Sequence, residues 1–140
     1  MSEQFKILTQ FVKDMSCETP NVETYLYVKE YLKNYNLDID ITTKPLKNRM
    51  IEVNTKLSYT DKGKTKNKSY FEITYGSIVK IEENIKDRKI IEKIILCDVQ
   101  KEIYPNLEKV FLNLLSNSGF PNIKFEKKVD FEQLYNQRLN

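Results

Sequence analysis

The residues most able to do chemistry early in the chain are Asp14, Ser16 and Glu18, which alternate with Met15 and Cys17 in the run Lys13-Asp14-Met15-Ser16-Cys17-Glu18-Thr19-Pro20-Asn21. Period-two alternation sends the three polar side chains to one sheet face and Met15 and Cys17 to the other. Two carboxylates four residues apart on a strand lie roughly 13 Å apart. That is too far for an acid/base dyad, and it suits an acidic surface read by another protein. Other catalytic sets are equally short of parts. Histidine is absent, which removes the commonest general base and metal ligand. Cys17 and Cys97 stand alone, with no C-x-x-C pair for zinc or redox work, and read as small buried thiols. Three glycines offer no phosphate cradle. Catalysis has no apparent equipment.

The elements that must position these groups follow from the hydrophobic pattern. Residues from Phe5 to Glu18 read as a strand, with Phe5, Ile7, Phe11, Met15 and Cys17 on one face if the register shifts once. Pro20-Asn21 ends it. Between Val22 and Tyr35, apolar residues at 25, 28 and 32 allow a helical turn or two, and an ordered crossover loop fits equally. Leu37, Ile39 and Ile41 alternate with Asp38 and Asp40. After the connection Lys44–Asn48, a third strand places Ile51, Val53, Thr55, Leu57 and Tyr59 on one face. Asp61-Lys62-Gly63 is a hairpin signal. The fourth strand, Ser69 to Ile81, places Phe71, Ile73, Tyr75, Ser77 and Val79 on one face and Tyr70, Glu72, Thr74, Gly76 and Ile78 on the other. Gly76 inside a strand marks a bulge or a close approach.

The last third is helical. Ile90, Ile91, Ile94 and Ile95 share one stripe within a helix over Ile85–Cys97. Pro105 is expected in the first turn of a following helix, with Ile103, Leu107, Val110, Phe111, Leu114 and Leu115 at helical spacing. Gly119 ends that helix, with Pro121 just beyond. Asp130-Phe131-Glu132-Gln133 starts a short last helix through Leu139. Strands first and helices last argue for an α+β fold, and 140 residues for one domain.

Composition narrows the class further. The chain is 40% hydrophobic and 31% charged, with a net charge of +3, ordinary for a soluble protein. Lys62, Lys64, Lys66 and Lys68 read as a solvated hairpin tip that guards an edge. No apolar run reaches the ~20 residues of a membrane span. Met1-Ser2-Glu3-Gln4 has no basic flank and no apolar region after it, so no export leader is expected. Nine Tyr and seven Phe fall heavily in the strands and the crossover. Such residues can line a groove for varied apolar segments, because tyrosine offers large amphipathic area at low entropy cost.

Taken together, Lys13 to Asn21, the strand Tyr70-Phe71-Glu72-Ile73 with Gly76 and Ile78, and the end Cys97, Pro105, Ser118-Gly119-Phe120-Pro121, Val129-Asp130-Phe131 and Leu134-Tyr135 resemble the bacterial protein-export chaperone family SecB. The likeness covers nearly the whole chain. It implies a single domain over 1–140, with a four-stranded antiparallel sheet and one long and one short C-terminal helix. It implies a homotetramer built as a dimer of dimers. It also implies an ATP-independent holdase, not an enzyme, that binds unfolded preproteins in apolar grooves and delivers them to the translocase motor SecA. No cofactor, metal, nucleic acid or direct membrane insertion is implied, and the location is cytoplasmic. For SecA docking the likeness matches Asp14, Glu18 and Glu72, with Tyr70 where the family usually has leucine. For the subunit interface it points to Phe71, Ile73 and Tyr75, with Val110 and Leu114 on the helix. The crossover residues Tyr25, Leu26, Tyr27 and Tyr31 are the expected client groove. Two alternatives stand beside this reading: a SecB-like holdase serving a toxin–antitoxin pair, and a small RNA-binding α+β module with sheet aromatics and hairpin lysines on RNA.

Overall fold

The computed structural model describes residues 4–61, 68–125 and 128–138. Four strands, β1 (Phe5–Glu18), β2 (Tyr35–Pro45), β3 (Met50–Asp61) and β4 (Tyr70–Ile81), form one antiparallel sheet in the order β1-β4-β3-β2. The alternations read from sequence for β2, β3 and β4 hold. Val53, Thr55, Leu57, Tyr59, Phe71, Ile73, Tyr75 and Val79 are buried on one face, and their neighbours line the other. Residues 62–67 lie outside the described residues, so the hairpin signal after Asp61 and the lysines at 62, 64 and 66 are not placed. The adjacent antiparallel pairing of β3 and β4 is the pairing that such a hairpin produces.

Strand β1 departs from expectation. Its register against β4 shifts twice, at Leu8 and at Lys13. Each shift inserts one residue and exchanges the faces. Phe11 therefore lies opposite Gly76, on the open face, while Val12 takes the helix side. The Phe11 ring fills the space over Gly76: a Cβ there would stand 2.7 Å from Cζ of Phe11. Cys17 is exposed and only Cys97 is buried, because Cys17 sits near the end of an edge strand.

The crossover is a helix, α1 (Val22–Tyr31). Asn21 caps it, its side-chain oxygen accepting from the Thr24 amide at 2.8 Å. Thr24 and Val28, one turn apart, are its buried residues. A stripe that narrow leaves little helical signature in the sequence.

The expected break at Pro105 is absent. A short helix α2 (Arg88–Lys93), a π turn (Ile94–Asp98) and α3 (Val99–Asn117) follow one another directly, with Pro105 inside α3. An interior proline costs ~3 kcal/mol. Ile103, Tyr104 and Leu107 are buried on either side of it, so packing against the sheet carries the helix through. The π turn is kept satisfied from within. Gln100, fully buried, donates from Nε2 to the Ile95 carbonyl at 3.1 Å and accepts from Thr55 Oγ1 at 2.8 Å. Gly119, at φ +102°, ends α3 as expected. Helix α4 (Phe131–Arg138) starts where Asp130 Oδ1 accepts from the Gln133 amide at 3.0 Å.

Candidate functional site

The open face of the sheet carries the charges. Asp14 stands opposite Thr74, Ser16 opposite Glu72 and Glu18 opposite Tyr70. Directly opposed residues of an antiparallel pair share a face, so Asp14, Glu18, Tyr70 and Glu72 lie together on the side away from α3. The reading that grouped them required β1 and β4 to be neighbours, and they are.

The register adds members that sequence reading treated only as strand alternation. Asp38 and Asp40 of β2 stand opposite Ser58 and Lys56 of β3, which puts both on the same face. Lys56 Nζ meets Glu72 Oε1 at 2.7 Å, and Lys13 meets Glu52 Oε2 at 2.6 Å. The hydrogen bond from Lys13, with a second from Asn54, holds the Glu52 carboxyl below its ordinary range. The Lys56 ammonium is held above its ordinary value, first by its hydrogen bond to Glu72 and then by the charges of Glu72, Asp40 and Asp14. One half of the face thus gathers Asp14, Glu18, Asp38, Asp40 and Glu72 around Lys56, while the other half carries Glu52 among Lys6, Lys13, Lys44 and Lys80. The acidic half offers carboxylates at spacings suited to several basic side chains at once, and no pair set for proton transfer.

The residues expected at a subunit contact divide. Phe71 and Ile73 are 0% exposed and Tyr75 is 2% exposed in the single chain. Phe71 packs edge-on to Phe120, and the Tyr75 hydroxyl is hydrogen-bonded to Asn106 of α3. These three pack into the chain's own core. The reason is that α3 covers the face that sequence alternation left open. Val110 and Leu114 on α3 are only half-buried.

The crossover residues also divide. Tyr25 turns inward, stacking on Phe120 at 5.2 Å and donating to the Gly119 carbonyl at 2.9 Å. Tyr27 and Tyr31 pack on each other at 4.5 Å, and Leu26 points to solvent, 58% exposed. Two grooves of mixed lining lie near them. One, of about 960 Å³, runs along the outer edge of β2, with Leu37, Ile39, Phe125 and Leu134 set among charged and polar side chains such as Lys33, Asp38 and Lys128. A second, of about 490 Å³, adjoins the end of α1 between Leu32, Tyr59, Phe120 and Ile123. Sequence reading named the helix beside these grooves and missed their walls, which come from β2 and from the segment after α3. The half-buried alternation of Leu37 and Ile39 was the available signal.

Known proteins share this architecture. A family model described as preprotein translocase subunit SecB matches residues 1–140. A putative protein-export protein SecB of Pelagibacter ubique is 55% identical over 140 residues, covering 100% of both chains. A protein-export protein SecB of Parvibaculum lavamentivorans is 27% identical over 135 residues, 96% of this chain and 79% of that protein. Among solved structures, a SecB-like chaperone of Mycobacterium tuberculosis, in complex with a peptide from an antitoxin, superposes with a TM-score of 0.65 at 8% identity over 89% of this chain and 91% of that one. A whole-chain family match, a full-length relative at 55% identity and a shared sheet-and-helix fold agree: the chain belongs to the SecB family of protein-export chaperones.

Proposed function

We propose that this chain, as one domain over 1–140, is an ATP-independent holdase that keeps preproteins unfolded in the cytoplasm and delivers them to SecA. The observation that carries this is the division of surfaces. A groove with an apolar strip of Leu37, Ile39, Phe125 and Leu134 runs along the outer edge of β2, while the carboxylates Asp14, Glu18 and Glu72 lie on the open face nearest β1 and β4. Client and motor can then bind together, and handover needs no cofactor. In the grooves, affinity comes from apolar burial at roughly 25 cal/mol per Å², with little demand on client sequence. Leu32, Leu37, Ile39, Phe125 and Leu134 are the proposed walls, with Tyr25, Leu26, Tyr27 and Tyr31 supporting or flanking them. Tyr70, at 38% exposure, gives the acidic dock an aromatic contact.

Assembly as a dimer of dimers belongs to the same reading. It is supported by β1, a sheet edge on which Leu8, Phe11, Val12 and Met15 are 39–47% exposed. Such an edge invites pairing with another strand. Val110 and Leu114 of α3 are the helix residues left for a second contact.

The antitoxin alternative rests on likeness of fold at 8% identity, and the relative at 55% identity favours export. The RNA-binding reading loses its aromatic platform, because Tyr59, Phe71 and Tyr75 are buried. The test is a pair of titrations, against SecA and against an unfolded preprotein. Glu72→Lys is expected to weaken SecA binding far more than Glu72→Gln and to leave client binding intact. Equal SecA affinity in wild type and Glu72→Lys, or parallel loss of client binding, refutes the assignment.

A further inference from the structure

The acidic half of the open face holds a lysine of its own, Lys56. Asp40 of β2 stands opposite Lys56 of β3, Lys56 opposite Thr74 of β4, and Thr74 opposite Asp14 of β1. Glu72 lies in the next row, opposite Ser58 on one side and Ser16 on the other. Lys56 reaches diagonally across to it, Nζ to Oε1 at 2.7 Å. Diagonal neighbours on a sheet face are within reach of a long side chain, so the alternative partner, Asp40 directly opposite, is within reach as well. The Glu72 side chain is 28% exposed, less than the 47% of Lys56. A basic group arriving from solvent therefore meets Lys56 on the carboxylate it is seeking.

Resting on the reading of this face as a dock for a basic segment, we propose that Lys56 is a built-in competitor: it occupies Glu72 in the unbound chaperone and swings toward Asp40 when an incoming cation takes its place. The chemistry is an exchange of ion pairs. The partner gains Glu72 only as Lys56 leaves it, and Asp40 lowers the cost of leaving by receiving the displaced ammonium. A flexible lysine suits this role, since it holds a carboxylate as a point charge and not through a planar fork. An arginine of the partner can grip Glu72 with two parallel N–H groups, so it displaces Lys56 more readily than a lysine does. Competition also discriminates. A weakly basic segment does not repay the exchange, while one with several well-placed cations does. Asp14 and Glu18 then serve as contacts that need no displacement.

The experiment compares SecA binding by wild type, Lys56→Met, Glu72→Lys and Asp40→Asn at low salt, with thermal unfolding of each as a control for folding. Lys56→Met is expected to tighten SecA binding about two- to fivefold, the scale of one exposed ion pair, and the gain should fade as salt is raised. In a Glu72→Gln background the same change should gain less, because the competitor no longer has that carboxylate to hold. Asp40→Asn is expected to weaken binding, since the displaced lysine loses its receiver. If Lys56→Met lowers the unfolding temperature, Lys56→Gln, which keeps a polar side chain, carries the comparison. Unchanged or weaker binding in a folded Lys56 variant, alongside a loss in Glu72→Lys, overturns the competitor role and leaves the dock standing. No change in Glu72→Lys removes the dock, and the proposal with it.

Discussion

Replacing Gly119 by alanine tests how the crossover helix is held to the rest of the molecule. Gly119 sits at φ +102°, where an L side chain costs about 1–2 kcal/mol. The new Cβ would stand 2.5 Å from Cε1 of Tyr25 and 3.1 Å from its Cζ and hydroxyl. The Tyr25 ring cannot give way freely, because its hydroxyl donates to the Gly119 carbonyl at 2.9 Å and its face stacks on Phe120. Moving the ring forfeits a hydrogen bond of ~0.5–1.5 kcal/mol and an aromatic pair of similar size, ~0.5–1.5 kcal/mol. The whole change should therefore cost about 2–5 kcal/mol against a typical stability of ~5–15 kcal/mol. Urea unfolding at constant slope measures it. The decisive arm is the cycle with Tyr25→Ala. Once the ring is gone, Gly119→Ala should cost only its backbone share, so the two changes should couple by about 1–3 kcal/mol. Additivity within ~0.5 kcal/mol would refute the clasp. Phe120 belongs to the wall of the smaller groove, so Gly119→Ala should also weaken client binding.

Three further outcomes are expected. Ile73→Asp places a charge in a site with 0% exposure and should unfold the chain, seen by circular dichroism; a folded but smaller assembly in light scattering would show that Ile73 is not core. Thr55→Val leaves Gln100 Oε1 buried without its donor and should cost about 1–3 kcal/mol in urea unfolding, while adding Gln100→Leu should recover only part, because the Ile95 carbonyl then loses its partner too. Burial pushes the Tyr35 phenol up to about 12, so the neutral phenol favours the folded state. Its contribution is intact below the ordinary tyrosine value of about 10 and is lost as pH rises through about 12. Burial also raises the phenols of Tyr59 and Tyr104, so tyrosinate absorbance should show several late ionisations, of which Tyr35→Phe removes one; ionisation of Tyr35 near its ordinary value of about 10 would contradict its burial.

Strands β2, β3 and β4 were legible in the sequence because one of their faces is buried and the other wet, which is the condition under which alternation carries information. β1 was legible only in outline. An edge strand with exposed residues on both faces constrains its register weakly, so its two shifts left no pattern and Phe11 was assigned to the wrong side. Helix α1 hid because Thr24 and Val28 alone are buried. Pro105 was read by its local preference, which packing around Ile103 and Leu107 overrides. The acidic site was half legible. Asp14, Glu18 and Glu72 came from a motif, whereas Lys56 and Asp40 enter only through cross-strand register, which connects residues distant in sequence. Phe71, Ile73 and Tyr75 were correctly seen as an apolar row; only the structure shows that the chain's own helix covers it.

The paired irregularities of β1 bear on how such a strand can change over descent. Each inserted residue, Leu8 and Lys13, reverses the parity of everything on one side of it, and together they restore it. Phe5 and Ile7 at one end, and Met15 and Cys17 at the other, are again in phase. A one-residue length change placed at either irregularity is therefore absorbed there: without Leu8, Ile7 and Thr9 would still face Val79 and Ile78. Placed elsewhere in the strand, it would turn either the open-face carboxylates or the apolar N-terminal end to the wrong side. Length changes in this strand should therefore be tolerated at Leu8 and Lys13 and penalised between them and the strand ends.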